Sequence, residues 1–260
     1  MHNEKMTTDS FPFGASYASM EKEETLGQIA AKDLRKVEIF KKYGLDFCCG
    51  GKQTVKEACA KKGLDLARIE SELLMVDENP VTRPLPYNDW TPDFLCDFIV
   101  NTHHRYVSKT LPDLLGYANK VSNAHGDRHP ELLRINQLVQ EINAEMTAHM
   151  MKEEKILFPF IKQLFLATEN HQPLQAAHFG TVQNPVAMME SEHEEVGEKL
   201  AEIRSLTNQF SLPEGACGSY SVLYRLLEEF EEDLHLHVHL ENNILFPKAI
   251  KLEKEIFSDK

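Results

Sequence analysis

Between Glu23 and Tyr43 the apolar residues Leu26, Ile29, Ala30, Val37 and Phe40 recur at helical spacing and predict a helix. Gly44 is placed to end it in a left-handed cap. Thr54-Val-Lys-Glu57 has the form of a capping box, which predicts a second short helix that Gly63 ends. A third is expected over 65–76. Residues 23–78 thus predict a small helical domain, preceded by a flexible lead-in at 1–22 that carries no sustained period. The stretch 79–90 holds Pro80, Pro84 and Pro86 without helical spacing and is expected to be a linker. Four long helices should follow within 91–260. Thr91-Pro92, His129-Pro130 and Asn184-Pro185 each put proline at or near a first helical position, where its missing N–H costs nothing. The expected spans are 92–120, 131–167, 185–209 and 219–255, the last beginning after Gly215-Ala-Cys-Gly218. Connections of about 10 to 20 residues suit an antiparallel bundle. Pro159 and Pro247 should kink or end the second and fourth helices. No segment reads as strand, so the fold class is all-α.

Composition narrows the partners more than the fold. The 260 residues are 42% hydrophobic and 27% charged, enough for a real core. A formal net charge of −13 argues against nucleic acid and against an anionic membrane surface as main partners. No apolar stretch is long enough to span a membrane, and the N-terminus lacks a basic start followed by an apolar run. Five cysteines, two of them adjacent, do not suggest a disulfide framework. The cytoplasm is the expected location, and a homodimer remains open.

The chemistry lies in a repeat. His149-Met-Met-Lys-Glu153-Glu-Lys-Ile-Leu-Phe-Pro159 and His237-Val-His-Leu-Glu241-Asn-Asn-Ile-Leu-Phe-Pro247 stand 88 residues apart. Each follows another histidine at nearly equal distance: His104 is 45 residues before His149, and His193 is 44 before His237. Residues four apart share a helix face, about 40° apart around the axis, so each imidazole and carboxylate can reach one ion. An exposed i,i+4 pair is the bland alternative. Two unrelated surface pairs would have no reason to share both the Ile-Leu-Phe-Pro run and the upstream histidine. The remaining His2, His103, His129, His171 and His178 are read as ordinary surface or core histidines.

Four imidazoles and two carboxylates, without thiolate, exceed one zinc site and differ from the all-oxygen cages of magnesium or calcium. Two iron ions fit best, with manganese the other option. Glu153 and Glu241 would bridge them, His104 and His149 would hold one, and His193 and His237 the other. Open positions would accept oxygen, nitric oxide or an oxo bridge. The ferritin-like pattern needs a carboxylate from each helix, and none of the residues between Glu78 and Glu131 is a glutamate. In the fourth helix His235 and His239 project away from His237, and the matching Leu-Phe-Pro registers select His237. His125, near the turn between the first two long helices, is a weaker candidate ligand.

The run Tyr43-Gly-Leu-Asp-Phe-Cys48-Cys49-Gly-Gly, followed by Ala58-Cys59, resembles the N-terminal domain of the repair-of-iron-centres family. His104, His149-Met-Met-Lys-Glu153, Glu192-His193 and His237-x-x-Leu-Glu241-Asn-Asn are similar to that family's di-iron elements, in order, over about residues 25–250. The resemblance implies a hemerythrin-like four-helix bundle holding an oxo- and carboxylate-bridged di-iron centre. It further implies that damaged iron–sulfur proteins are the partners and that nitric oxide or oxygen is the small ligand. The family's pattern has a histidine at the place of His125, which strengthens that candidate.

Cys48 and Cys49 are expected on a tight exposed loop between glycines. As thiolates they could bind iron, take up a nitrosyl group or exchange with a client's thiols. The resemblance implies a role for the pair in repair or nitric oxide chemistry. Cys59, Cys96 and Cys217 should pack as small apolar residues. The expected function is iron handling in the repair of clusters damaged by nitric oxide or oxidants, rather than rapid turnover. A nitric oxide or peroxide reductase and a reversible gas binder or sensor are the alternatives. Rapid multiple-turnover nitric oxide consumption would favour the reductase.

Overall fold

The computed structural model describes residues 24–77 and 85–257. The expected lead-in at 1–22 and residues 79–84 of the expected linker lie outside the described residues. Of that linker, Tyr87–Asp89 forms one 3-10 turn, with the Tyr87 ring 4.7 Å from that of Trp90.

The helix expected over 23–43 is two, α1 (Leu26–Lys32) and α2 (Val37–Lys42), separated by a 3-10 turn at Leu34–Lys36. Asp33 makes the break. Its backbone is extended, and its carboxylate accepts from the Arg35 N–H at 3.0 Å, capping the next turn. The capping box forms as its sequence predicts: Thr54 Oγ1 accepts from Glu57 N–H, and Glu57 Oε2 accepts from Thr54 N–H. It opens α3 (Val55–Lys62), which ends at Gly63 with φ 65°. Gly44 ends α2 at φ 62°, and α4 (Leu66–Asp77) completes the group.

The first bundle helix consists of α5 (Pro92–Ile99), a π-helical turn at Val100–His104 and α6 (Arg105–His125). The second is α7 (Glu131–Lys152), a π turn at Glu153–Leu157 and α8 (Phe158–Glu169). The third, α9 (Gln183–Leu206), stops short of 209 because Asn208, Gln209 and Phe210 take positive φ. The fourth is α10 (Gly218–Leu240), a π turn at Glu241–Leu245 and α11 (Phe246–Phe257). Neither Pro159 nor Pro247 ends its helix. Proline cannot donate to the carbonyl four residues back, and its ring crowds that carbonyl. Those carbonyls, of Lys155 and Asn243, lie inside the two π turns, so the misfit is taken up there and α-helix resumes beyond. Among the described residues there are two isolated bridges and no strand.

Packing sets which helices are neighbours. α6 packs against α7 and α10, α7 against α9, and α8 against α5 and α11. Arg134 bridges α7 to Glu202 of α9 at 2.7 Å, and Arg204 Nε of α9 reaches the buried Glu231 of α10 at 2.8 Å. Two apolar cores result. One joins Val107, Met146, Val196 and Leu234 to Leu26, Phe40, Phe47 and Cys48 of the small N-terminal helices and their loop. The other gathers Ile99, Leu157, Met189, Leu240 and Ile244. Between them lies one buried polar layer containing His104, His149, Glu153, His193, His237 and Glu241.

Candidate metal centre

Each residue of this layer continues an apolar stripe of its own helix. On the second bundle helix, Ile142 and Met146 lead to His149 and Glu153, and Leu157 follows. The side chains are therefore carried inward by the packing that builds the core. His104, Glu153 and Glu241 stand on the three π turns, which contain one extra residue per turn and re-aim the side chains they carry. His104 Nε2 and His149 Nε2 approach Glu153 Oε2 at 3.2 and 3.3 Å. His193 Nε2 lies 3.1 Å from Glu241 Oε2, and His237 Nε2 lies 3.0 Å from Glu241 Oε1.

Two overlapping sets of donor atoms, each within 4.8 Å of one another, emerge: His104, Glu153, His237 and Glu241, and His149, Glu153, His193 and Glu241. Both carboxylates are common to both sets. The expected division of the histidines is corrected, since His104 goes with His237 and His149 with His193. The sequence pairs the histidines by repeat order, whereas the donor atom of His104 gathers with that of His237 on the fourth helix, and that of His149 with that of His193 on the third.

The residues behind the imidazoles decide what the layer accepts. Nδ1 of His104 lies 2.9 Å from Glu154 Oε1, Nδ1 of His149 lies 2.9 Å from Glu192 Oε2, and Nδ1 of His193 lies 2.9 Å from Asn242 Oδ1. Acceptors at those positions hold a proton on Nδ1 and leave the Nε2 lone pairs directed inward. Yet His149 Nε2 and His193 Nε2 stand 3.0 Å apart. Neither oxygen of Glu153 has a hydrogen-bond partner, and Oε2 of Glu241 and Nε2 of His104 also lack one. Buried acceptors this close together, several of them without a donor, need positive charge, so this donor set fits metal cations.

The electrostatics agree. Burial opposes charge on His149, but the Glu153 carboxylate outweighs it and pushes the imidazole up to about 10. Burial also opposes charge on Glu241, yet His237 and His193 hold it well below the usual carboxylate range. His149 and Lys152 together bring Glu192 down to about 2. Protons and cations therefore compete for the same inward-facing atoms.

The other candidates divide. His235 and His239 turn from the layer to the Phe47 ring, with centroids at 6.1 and 5.6 Å. The structure does not bring His125 to the cluster. It ends α6, 21 residues beyond His104, which is about 30 Å of helix, and its Nε2 lies 3.1 Å from Cys217 Sγ. Cys217 is exposed beside it instead of packed, whereas Cys59 and Cys96 are buried.

The cysteine loop is also corrected from exposed to docked: Cys48 is buried and Cys49 half-buried. Asp46 shapes it, accepting from Cys48 N–H, Cys49 N–H and Gly50 N–H at 2.8–3.0 Å. Cys49 Sγ lies 3.5 Å from the His193 carbonyl oxygen. The adjacent Cys49 thiol, burial and the Asp46 carboxylate raise the Cys48 thiol well above its usual range. A cavity of about 40 Å³ is lined by Cys48, Cys49 and Asn242.

Sequence reasoning passed over Glu154 and Asn242, although they occupy the same place, one residue after Glu153 and Glu241. It also left His103 unassigned. That ring is buried, stacks on His237 at 5.5 Å, and has Nδ1 at 2.9 Å from Asp233.

Comparison with known proteins agrees with this architecture. Residues 98–249 match the hemerythrin HHE cation binding domain, and residues 22–77 match a domain of unknown function, DUF542. The chain is 39% identical over 236 residues to the iron–sulfur cluster repair protein YtfE of Cronobacter sakazakii, covering 90% of this chain and 99% of that protein. To the protein of the same name from Dickeya chrysanthemi it is 36% identical, covering 89% of this chain and 99% of the other. For the Escherichia coli O8 protein the identity is again 36%, over 88% and 97% of the two chains. The chain thus belongs to the family of the iron–sulfur cluster repair proteins, built on a hemerythrin-type cation-binding bundle.

Proposed function

We propose that this chain repairs iron–sulfur clusters damaged by nitric oxide or oxidants, and that it does so by handling iron at two sites in the polar layer. Glu153 and Glu241 would bridge the ions, together with an oxo group. His104 and His237 would hold one ion, and His149 and His193 the other. Residues 91–260 would act as the iron-bearing domain and 23–78 as the domain that presents Cys48 and Cys49. The observation that carries this reading is the convergence of four imidazoles and two carboxylates in which both Glu153 oxygens, Glu241 Oε2 and His104 Nε2 have no hydrogen-bond partner.

The protein's own groups have definable tasks. Glu154, Glu192 and Asn242 keep the Nδ1 protons of His104, His149 and His193 in place, so each Nε2 faces inward as a lone pair. The apolar cores above and below keep bulk water out of the layer. Carboxylates can change denticity without moving their helices, which favours release of iron as cargo to a damaged cluster. Iron supplies Lewis acidity and one-electron chemistry when bound. The thiols of Cys48 and Cys49, beside the His193 carbonyl, are placed to receive iron or a nitrosyl group on the way to or from a client protein.

Purified protein should contain close to two iron ions per chain, and Glu153→Leu or Glu241→Leu should reduce this to less than half. The wild type, but neither variant, should restore an iron–sulfur enzyme inactivated by nitric oxide faster than free ferrous iron does. One zinc per chain, or unchanged iron in both variants, would contradict the assignment. Rapid multiple-turnover consumption of nitric oxide without restoration would make the chain a reductase.

A further inference from the structure

The two copies of the repeat have diverged at one place that the iron chemistry does not use. After the bridging glutamate, the first copy reads Glu154-Lys155 and the second Asn242-Asn243. The first positions correspond in role, because Glu154 backs His104 and Asn242 backs His193. The second positions do not. Lys155 is exposed, whereas Asn243 is half-buried against the small N-terminal domain.

Asn243 Nδ2 donates to the carbonyl oxygens of Phe47 and Cys48 at 3.2 and 3.3 Å. Its amide fills the space where two glycines would otherwise carry side chains. A Cβ on Gly27 would come within 1.9 Å of Asn243 Oδ1, and one on Gly51 within 2.6 Å. Gly51 directly follows the Cys48-Cys49-Gly50 run, and its carbonyl accepts from Gly27 N–H at 2.9 Å. The loop is therefore closed around this one side chain. Three successive residues of a single π turn hence face three different things: Glu241 the cluster, Asn242 the His193 imidazole, and Asn243 the backbone of the thiol loop.

We propose that Asn243 is the positioning residue that ties the Cys48–Cys49 loop to the bridging carboxylate Glu241, so that filling the metal layer holds the thiols in their docked, protected position. This rests on the reading of the layer as a metal centre. With cations present, Glu241 is fixed and its turn is rigid. Without them, the buried carboxylates and lone pairs repel, the turn loosens, and the loop is released.

The test is the rate at which iodoacetamide alkylates Cys48 and Cys49, mapped by peptide mass spectrometry on the full chain. In the wild type, removal of metal should raise that rate at least fivefold. Asn243→Ala and the near-isosteric Asn243→Asp, which turns a donor into an acceptor facing two carbonyls, should both show the fast rate while still loaded with wild-type amounts of iron. Lys155→Ala, the equivalent position of the first copy, should behave as the wild type. The iron content of the wild type reads the metal assignment separately. An iron-free wild type would overturn the reading of the layer and with it the coupling to metal, and faster alkylation in the Asn243 variants would then show only that the amide holds the loop. Equal rates in the wild type and both Asn243 variants would overturn the proposal. So would an unchanged or slower rate on stripping the wild type. Loss of iron from both Asn243 variants would also overturn it, since Asn243 would then support the cluster itself.

Discussion

His149 and His193 present their Nε2 atoms to each other at 3.0 Å while Glu192 and Asn242 face their Nδ1 atoms. Such an arrangement is tolerable only around positive charge, and the outer acceptors decide which nitrogen offers its lone pair. Asn242→Leu removes the acceptor behind His193 and frees the ring to change tautomer. Iron affinity should fall about 10- to 100-fold, read by competition with a chelator, whereas Glu154→Gln, which keeps an acceptor behind His104, should change it far less. Equal affinities for wild type and Asn242→Leu would remove the tautomer argument. The inward-facing residues were legible in the sequence because i,i+4 spacing operates within one helix, and because two copies fixed the register of His237 against His235 and His239. Which histidines sit together was not legible, since that depends on how each side chain is aimed across the bundle. His125 misled because its distance along α6 outweighs its closeness in sequence to the turn.

At the scale of single elements, the Ile-Leu-Phe-Pro runs bear on the geometry of the polar layer through their prolines. Pro159 and Pro247 each deny a hydrogen bond to a carbonyl within the preceding π turn, and those turns begin at Glu153 and Glu241. Pro247→Ala restores an N–H and permits a regular α-helix through 241–245. Glu241 would then rotate out of register, so iron content should drop below half that of the wild type while far-UV helicity is kept or raised. Full iron loading in that variant would show that the π turn does not depend on proline. Helix starts were readable from Pro92, Pro130 and Pro185, and the ends of α2 and α3 from Gly44 and Gly63. The break at Asp33 was not, because an aspartate within an apolar period becomes a cap only when its carboxylate finds the Arg35 N–H. The π turn at Val100–His104 has Tyr106 at the place that proline takes after the other two, so proline is not its cause.

The whole molecule is a bundle divided by a polar layer, with one of the two apolar cores shared with the N-terminal helices. The sequence announced two parts, but could not show that Phe47 and Cys48 are core residues common to both. That sharing makes the layer unequal from side to side. A groove of about 640 Å³ between the small helices and the bundle is lined by Cys48, Cys49 and His193. His237, on the opposite side of the layer, is fully buried under the His103 ring. Two ions held in the layer, with this groove opening on the His193 side, would have an order of departure. The ion between His149 and His193 would leave first, and the one between His104 and His237 would wait behind it. Chelation should accordingly proceed in two phases of equal amplitude through a one-iron form, and a single exponential for both ions would show that the seats are equivalent.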